Sequence, residues 1–429
     1  MRFRTRLRSS SALWAAPLAL GVPVLYYLTG ASRPESPDFG YAPTIVSAPL
    51  YYSYAIAYAI VSALSAWESG RLKEGGGLQL APARSRYRVA AEMLWPVVAL
   101  GWLMLITPVV LALADYRVWP TETSLRPLWL ALVMCVGHAV IGYAVGAHAP
   151  KALAAPVMAV VVWAAVSYTV TFDTTWPRHV SGGYFNDFMF GEATSYGALL
   201  PHVLFTGSLA CAIALGWARL SRTALRVGLA LVVAVAGTGT AWAMTSSWGA
   251  NPPLLTDQAP MTCVGKAPQV CVPTLFKDTL GPARTETDRI LEDFRAAGVK
   301  LAPRLVSDSV TEGRMEGSER ATAHVWRPPL SSAVRSGDLR YQLTVEAVTP
   351  PCRRPNRTRV VAASLWATKV TGTDHEYRAL LRDFSAGDPE EAALQERAEQ
   401  EFKEGTRLPE SRQGGWYRHT LRAACGGPR

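Results

Sequence analysis

Seven apolar stretches, each about 20 residues long, occupy the first part of this chain, and runs of that length leave very few folds open. They extend from Ala12 to Thr29, Ile45 to Trp67, Ala90 to Ala114, Leu128 to Ala147, Leu153 to Thr171, Tyr196 to Trp217 and Ala224 to Met244. Lipid offers a backbone no hydrogen bonds, so each run must satisfy its own N–H and C=O groups by forming a helix. The expectation is an all-α membrane bundle of about seven transmembrane helices over residues 1–246. Charge then separates the rest of the chain from it. Up to Ser246 there are 17 Lys or Arg and 10 Asp or Glu, whereas residues 247–429 hold 26 and 23 and no long apolar run. That second part is expected to be a separate domain facing water. The net charge of +10 does not imply nucleic acid as a partner. In the first part the basic residues sit in short loops between apolar runs, where they orient a membrane protein.

Lys and Arg accumulate on the cytoplasmic side of a membrane, which makes alternate loops comparable. With the N-terminus inside, the inner segments carry Arg2, Arg4, Arg6, Arg8, Arg71, Lys73, Arg84, Arg86, Arg88, Lys151, Arg219, Arg222 and Arg226. The outer loops carry only Arg33, Arg117, Arg126 and Arg178. Seven spans then leave everything after Met244 outside the cell, in a multi-pass protein of the cell membrane. The first run is short, contains Pro17 and Pro23 and follows four arginines. It reads either as a retained helix, the reading preferred here, or as a signal sequence.

Of six cysteines, Cys135 and Cys211 fall inside apolar runs, where a thiol behaves as a small buried hydrophobe. Cys263, Cys271, Cys352 and Cys425 fall in the exported part, where an oxidising compartment favours two disulfides. Three pairings are open. Cys263 with Cys271 and Cys352 with Cys425 is preferred, since the first closes a short Pro-containing loop and the second ties the C-terminus back. The outer part reads as an α+β domain. Helices are expected over Thr285 to Ala297, with Gly298 as a stop, and over Arg359 to Val370, His375 to Phe384, Pro389 to Lys403 and Gly415 to Ala424. Strands are expected over Ala321 to Trp326 and Arg340 to Val348, the latter alternating Tyr341, Leu343 and Val345 with polar neighbours.

Motifs that would mark an enzyme or a cofactor are missing. Gly265-Lys266 continues with Ala267 and lacks the rest of a phosphate loop, Asp374-His375-Glu376 lacks the second His of a zinc pair, and no GxSxG elbow occurs. The chain is therefore expected to be no enzyme and to hold no metal or cofactor. Asn356-Arg357-Thr358 matches a glycosylation sequon, a short pattern with many chance occurrences. The intramembrane leads are His138 and His202, because a polar ring in lipid is costly unless it faces protein or water. They read either as a relay or substrate contact or as rings bonded to a neighbouring helix. Tyr51, Tyr54 and Tyr58 lie on one stripe of the second span, and Gly142 and Gly146 form a GxxxG pattern for close helix approach, within the bundle or in a homo- or hetero-oligomer.

The inner loop from Trp67 to Arg88 is the one long enough to form a docking surface. It opens Trp67-Glu68-Ser69-Gly70-Arg71, passes Gly75-Gly76-Gly77 and ends Arg84-Ser85-Arg86-Tyr87-Arg88. Trp67, Glu68, Arg71, Arg84, Arg86 and Arg88 are the docking candidates. Together with the basic start before Ser11-Ala12-Leu13-Trp14 and the segment Cys263 to Cys271, Trp67-Glu68-xx-Arg71 resembles actinobacterial membrane proteins labelled ABC-transporter permease-like, which carry an uncharacterised C-terminal domain. The resemblance covers most of the chain, through short motifs. It implies a permease-like subunit without its own ATPase, driven by a separate cytoplasmic ATPase. It also implies six membrane helices, an inner loop between spans two and three near that ATPase, and a re-entrant hairpin between spans five and six. The aromatic loop Phe172 to Ser195 stands at the hairpin position. The seventh span departs from the pattern. The alternative is a membrane-anchored extracytoplasmic sensor or binding module with no transport activity.

Overall fold

The computed structural model describes residues 8–34, 40–75, 85–218, 223–315, 321–350, 352 and 354–426. The chain divides into two compact units, Met1–Leu255 and Thr256–Arg429.

Among the described residues, the first unit contains seven helices long and apolar enough to cross a membrane. They are α1 (Ser11–Leu28), α2 (Ala42–Glu74), α3 (Arg86–Asp115), α4 (Glu122–His148), α5 (Lys151–Ser167, continued by a 3-10 turn to Thr171), α6 (Tyr196–Gly216) and α7 (Thr223–Thr245). Three of them, α1, α4 and α6, start at a residue whose side chain caps them. Ser10 accepts from Ala12 N, Thr121 and Ser124 form a reciprocal capping box, and Ser195 accepts from Ala198 N. Helix α2 packs against α1, α3, α4 and α5 and so forms the centre. Its approach to α4 is through Gly142 and Gly146. A Cβ on these would stand 2.2 Å from the Ser62 carbonyl oxygen and 2.0 Å from that of Ala66. Only glycine lets the two backbones come this near, so the GxxxG pattern serves packing inside the bundle. By contrast α7 packs mainly on α6, and among its described residues only Ala241 and Thr245 are buried. Cys135 is buried, but Cys211 lies exposed on the surface of α6, which corrects the expectation that both thiols are covered. Helical periodicity turns one side of every surface helix to lipid, and burial cannot be assigned from membership of an apolar run.

In the second unit the strands are few. Strands β3 (Met261–Val264) and β4 (Gln269–Pro273) form an antiparallel hairpin in which Cys263 faces Cys271 across the ladder. Strand β5 (Leu305–Ser307) lies parallel to β4, and β6 (Val325–Trp326) parallel to β5. The β4–β5 crossover contains α8 (Leu280–Ala296), which buries Ile290 and Phe294 and ends before Gly298 at φ +77°. Helices α9 (Leu330–Ser336), α10 (Leu339–Glu346), α11 (Arg357–Thr371), α12 (Asp374–Ser385), α13 (Pro389–Thr406) and α14 (Glu410–Ala424) complete the unit. The core helix is α11, whose Trp366 meets Tyr417 at 4.7 Å between ring centroids and Phe294 at 6.2 Å.

Two expectations are corrected here. Arg340 to Val348 is not a strand but lies in α10 and the turn after it. Leu339, Leu343 and Ala347 recur every four residues and are all buried, whereas Val345 of the supposed alternation is exposed. Of Ala321 to Trp326 only the last two residues are strand, since Thr322 and Val325 close a tight turn on each other. Both preferred disulfides are present, Cys263–Cys271 and Cys352–Cys425. Asn356 of the sequon caps α11, its Oδ1 accepting from Arg359 N at 3.2 Å.

Candidate functional site

The loop between α5 and α6 is folded into the helix bundle. Tyr184, Phe185 and Phe188 are buried in the same apolar core as Tyr54, Tyr58 and Met134. Irregular backbone at that depth is tolerated only where protein supplies its hydrogen bonds, and here the helices do so. Tyr41 Oη donates to the Glu192 carbonyl at 2.7 Å, Thr44 Oγ1 to that of Phe188 at 3.2 Å and Arg126 Nη1 to that of Thr194 at 2.8 Å. Residues after α7 hold the other side. Thr175 Oγ1 donates to the Trp248 carbonyl at 2.7 Å, and His179 Nε2 lies 2.9 Å from the Gly249 carbonyl. Strand β1 (Ala193–Thr194) then pairs with β2 (Leu254–Leu255).

Under this loop the polar side chains of three helices converge. The Tyr58 ring stacks on His138 at 4.8 Å and 17°. Tyr58 Oη donates to the Gly182 carbonyl at 3.0 Å, and Gly182 N donates to His202 Nδ1 at 3.1 Å. That bond makes Nδ1 of His202 an acceptor, so a neutral ring carries its proton on Nε2. The two histidines named from the sequence, 64 residues apart, are thus linked through Tyr58 and Gly182, His138 by stacking on Tyr58 and His202 by its bond to Gly182. The three tyrosines of the α2 stripe divide. Tyr54 and Tyr58 are fully buried, while Tyr51 meets Phe185 edge-on at 5.0 Å nearer the surface. Among the described residues, both ring nitrogens of His138, the hydroxyl of Tyr54 and the amide nitrogen of Asn186 are buried without a hydrogen-bond partner. Buried groups in that condition are uncommon and mark places that take a solute or water. The Tyr54 hydroxyl and the His138 imidazole, which both adjoin the Tyr58 ring, are suited to holding a small polar molecule or water by hydrogen bonds.

The described docking candidates do not share one exposed surface, since Glu68 is buried and Arg86 and Arg88 are exposed. Glu68 is 2% exposed. Its Oε1 accepts from Ser11 N at 2.6 Å and its carboxylate pairs with Arg71 at 3.3 Å, while Arg71 Nη1 also donates to the Ser9 carbonyl at 2.8 Å. The pair fastens the start of α1, where exposed N–H groups and the helix dipole favour a carboxylate. Trp67 is half-buried beneath Lys151, whose ammonium lies 5.4 Å from its ring. Arg86 and Arg88 are exposed, with Arg88 Nε 3.1 Å from Glu92. Arg84, Gly76 and Gly77 lie outside the described residues.

Residues that the sequence did not single out also shape the site. Gly182 adopts φ +94° with Tyr58 and Met134 against it, and Asn186 follows in the same loop. The Gly182-Gly183 pair is a local signal for unusual backbone, but nothing nearby names its partners. In the second unit Asp308 is fully buried and caps two turns, accepting from Val310 N at 3.3 Å and Ser331 N at 2.9 Å. Arg340 of α10 joins Glu286 and Asp293 of α8, which is part of why that segment is a helix packed on α8. Among the described residues no three His, Cys, Asp or Glu side chains are grouped as a metal site. Compared with protein-family models, with curated proteins and with solved structures, the chain matches none, so any reading of its function rests on its own residues.

Proposed function

We propose that this chain is a permease-like integral membrane subunit of an ABC-type transport system, working with a separate cytoplasmic ATPase. The observation that carries the reading is the loop between α5 and α6, which is inserted among the helices with Tyr184, Phe185 and Phe188 buried. A re-entrant segment at that place is what the resemblance to ABC permease-like proteins implies. Helix α7, which packs mainly on α6, is then an addition to a six-helix body, and this accounts for the odd span count. The unpartnered polar groups of Tyr54 and His138 beneath the loop supply contacts for a solute. The bias of Lys and Arg puts the N-terminus and the Trp67 to Arg88 loop in the cytoplasm and the second unit outside the cell. There, as a small α+β domain, that unit keeps its disulfides in an oxidising medium.

The test is capture of an ATPase. Full-length protein purified under mild detergent from its native membrane should bring down an ATPase encoded nearby. Replacing residues 76–84 by a Gly-Ser run of equal length should remove that ATPase and leave the bundle intact. Glu68 is unsuitable for the test because its loss would free the start of α1. If the unaltered protein captures no ATPase, the transport reading fails and the anchored sensor replaces it.

A further inference from the structure

A groove of about 260 Å³ runs between α4 and α6 on the outer surface of the bundle, walled almost wholly by carbon. Val136 and Val140 form one side, and Gly207, Ala210, Cys211 and Ala214 the other. Val136 and Cys211 are exposed, so the groove faces the lipid. Along α6 it extends from Val203 to Ala214, about 16 Å at about 1.5 Å per residue. That is about half of a hydrocarbon core of about 30 Å, the depth of a single leaflet.

The end of the groove at Ala214 is polar and basic. Tyr87 Oη donates to the Ala214 carbonyl at 2.8 Å. Trp217 stands 6.1 Å from the Tyr87 ring and 5.5 Å from that of Tyr143, an aromatic group of the kind found at headgroup level. Arg86 and Arg88 flank Tyr87 and are exposed, and Arg88 has Glu92 as its ion-pair partner. With Glu92 offsetting Arg88, these three residues leave one net positive charge at this end of the groove, while the remainder is apolar.

We propose that this groove is a binding site for one anionic phospholipid, with an acyl chain lying along Val140, Gly207 and Ala214 and the phosphate held by Arg86 and Arg88. The site rests on α3, α4 and α6 being membrane helices and is independent of the transport reading. A second helix laid in the groove would leave the cationic rim without a counter-charge. A lipid chain with an anionic headgroup matches both the length and the charge.

Full-length protein in mild detergent is mixed with dioleoyl phosphatidylglycerol, dioleoyl phosphatidylcholine or glycerol phosphate, and retained molecules are counted by native mass spectrometry. One phosphatidylglycerol should be retained, preferred roughly fivefold over phosphatidylcholine, as expected for one net positive charge near an anionic headgroup. Glycerol phosphate, which lacks the chain, should not be retained. Gly207→Leu fills the groove at a position where a Cβ meets only Val203 at 3.8 Å, and it should remove both lipids. Arg86→Gln with Arg88→Gln should reduce the preference to near unity while phosphatidylcholine still binds. Alkylation of Cys211 by N-ethylmaleimide, slowed by phosphatidylglycerol in the unaltered protein, reads the same occupancy without a substitution. Equal retention of the two lipids, retention of glycerol phosphate alone, or lipid binding unchanged by Gly207→Leu overturns the proposal. So does a dimer that Gly207→Leu dissociates, which would give the groove to a second copy.

Discussion

Glu68 shows how one residue's role changes once its partner is visible. In sequence it is an acid at the end of a span, three residues before Arg71, which suggests a charged surface for a partner. In the fold its carboxylate is enclosed and bonded to Ser11 N, 57 residues away. His179 is a second case. Burial lowers its pKa, and Arg178 adds to this, against the opposite pull of the Gly249 carbonyl. A base whose folded pKa is depressed binds fewer protons folded than unfolded. Its contribution is full above the ordinary value of 6.5 and is lost as pH falls toward the lowered one. Hydrogen exchange across residues 176–195, corrected for its intrinsic pH dependence, should therefore quicken below about pH 6.5. In His179→Phe that acid-dependent increase should disappear. An equal increase in both proteins would remove His179 as its source.

Among the elements, α2 with α4 and the α5–α6 loop determine the arrangement of the bundle. Close contact between α2 and α4 depends on glycine, and at Gly146 the group in the way is backbone, which cannot rotate aside. Gly146→Leu should cost at least the upper part of the about 1–3 kcal/mol typical of overpacking. A fall in the thermal midpoint of the detergent-solubilised protein would show it. Gly228→Leu, on the face of α7 where nothing lies within 4 Å, should leave the midpoint unchanged. Similar midpoints for the two variants would mean that α2 and α4 do not pack through this contact. Helix α10 shows where local pattern misleads. Tyr341, Leu343 and Val345 alternate as a strand would, yet Leu339, Leu343 and Ala347 also recur as a helix would. Eight residues are too few for periodicity to choose between them. Packing on α8 and α11 makes the choice.

For the whole molecule the division between lipid-facing and water-facing parts orders everything else. The cysteines follow it, with both disulfides in the second unit and both free thiols in the first. Membrane side is a property of the entire chain, and the proposed orientation rests on thirteen Lys or Arg in the segments expected inside against four in those expected outside. Reporter fusions after Ser69 and after Trp248 should report the cytoplasm and the exterior respectively. Finding both in one compartment would overturn the seven-span topology and with it the external position of the disulfides.

The sequence by itself determined the seven membrane-length helices, because a run of apolar residues has to satisfy its own hydrogen bonds wherever it lies in a bilayer. It also determined the separation of the four disulfide cysteines from the spans, and most helices of the second unit, whose amphipathic repeats are long enough to read. Tertiary structure alone decided that Tyr58, Gly182, His138 and His202 meet, that Glu68 faces α1 and that residues 339–346 are helical. Each of these depends on contacts between segments distant in the chain. Periodicity records which side of an element is apolar, but not which element comes to cover it.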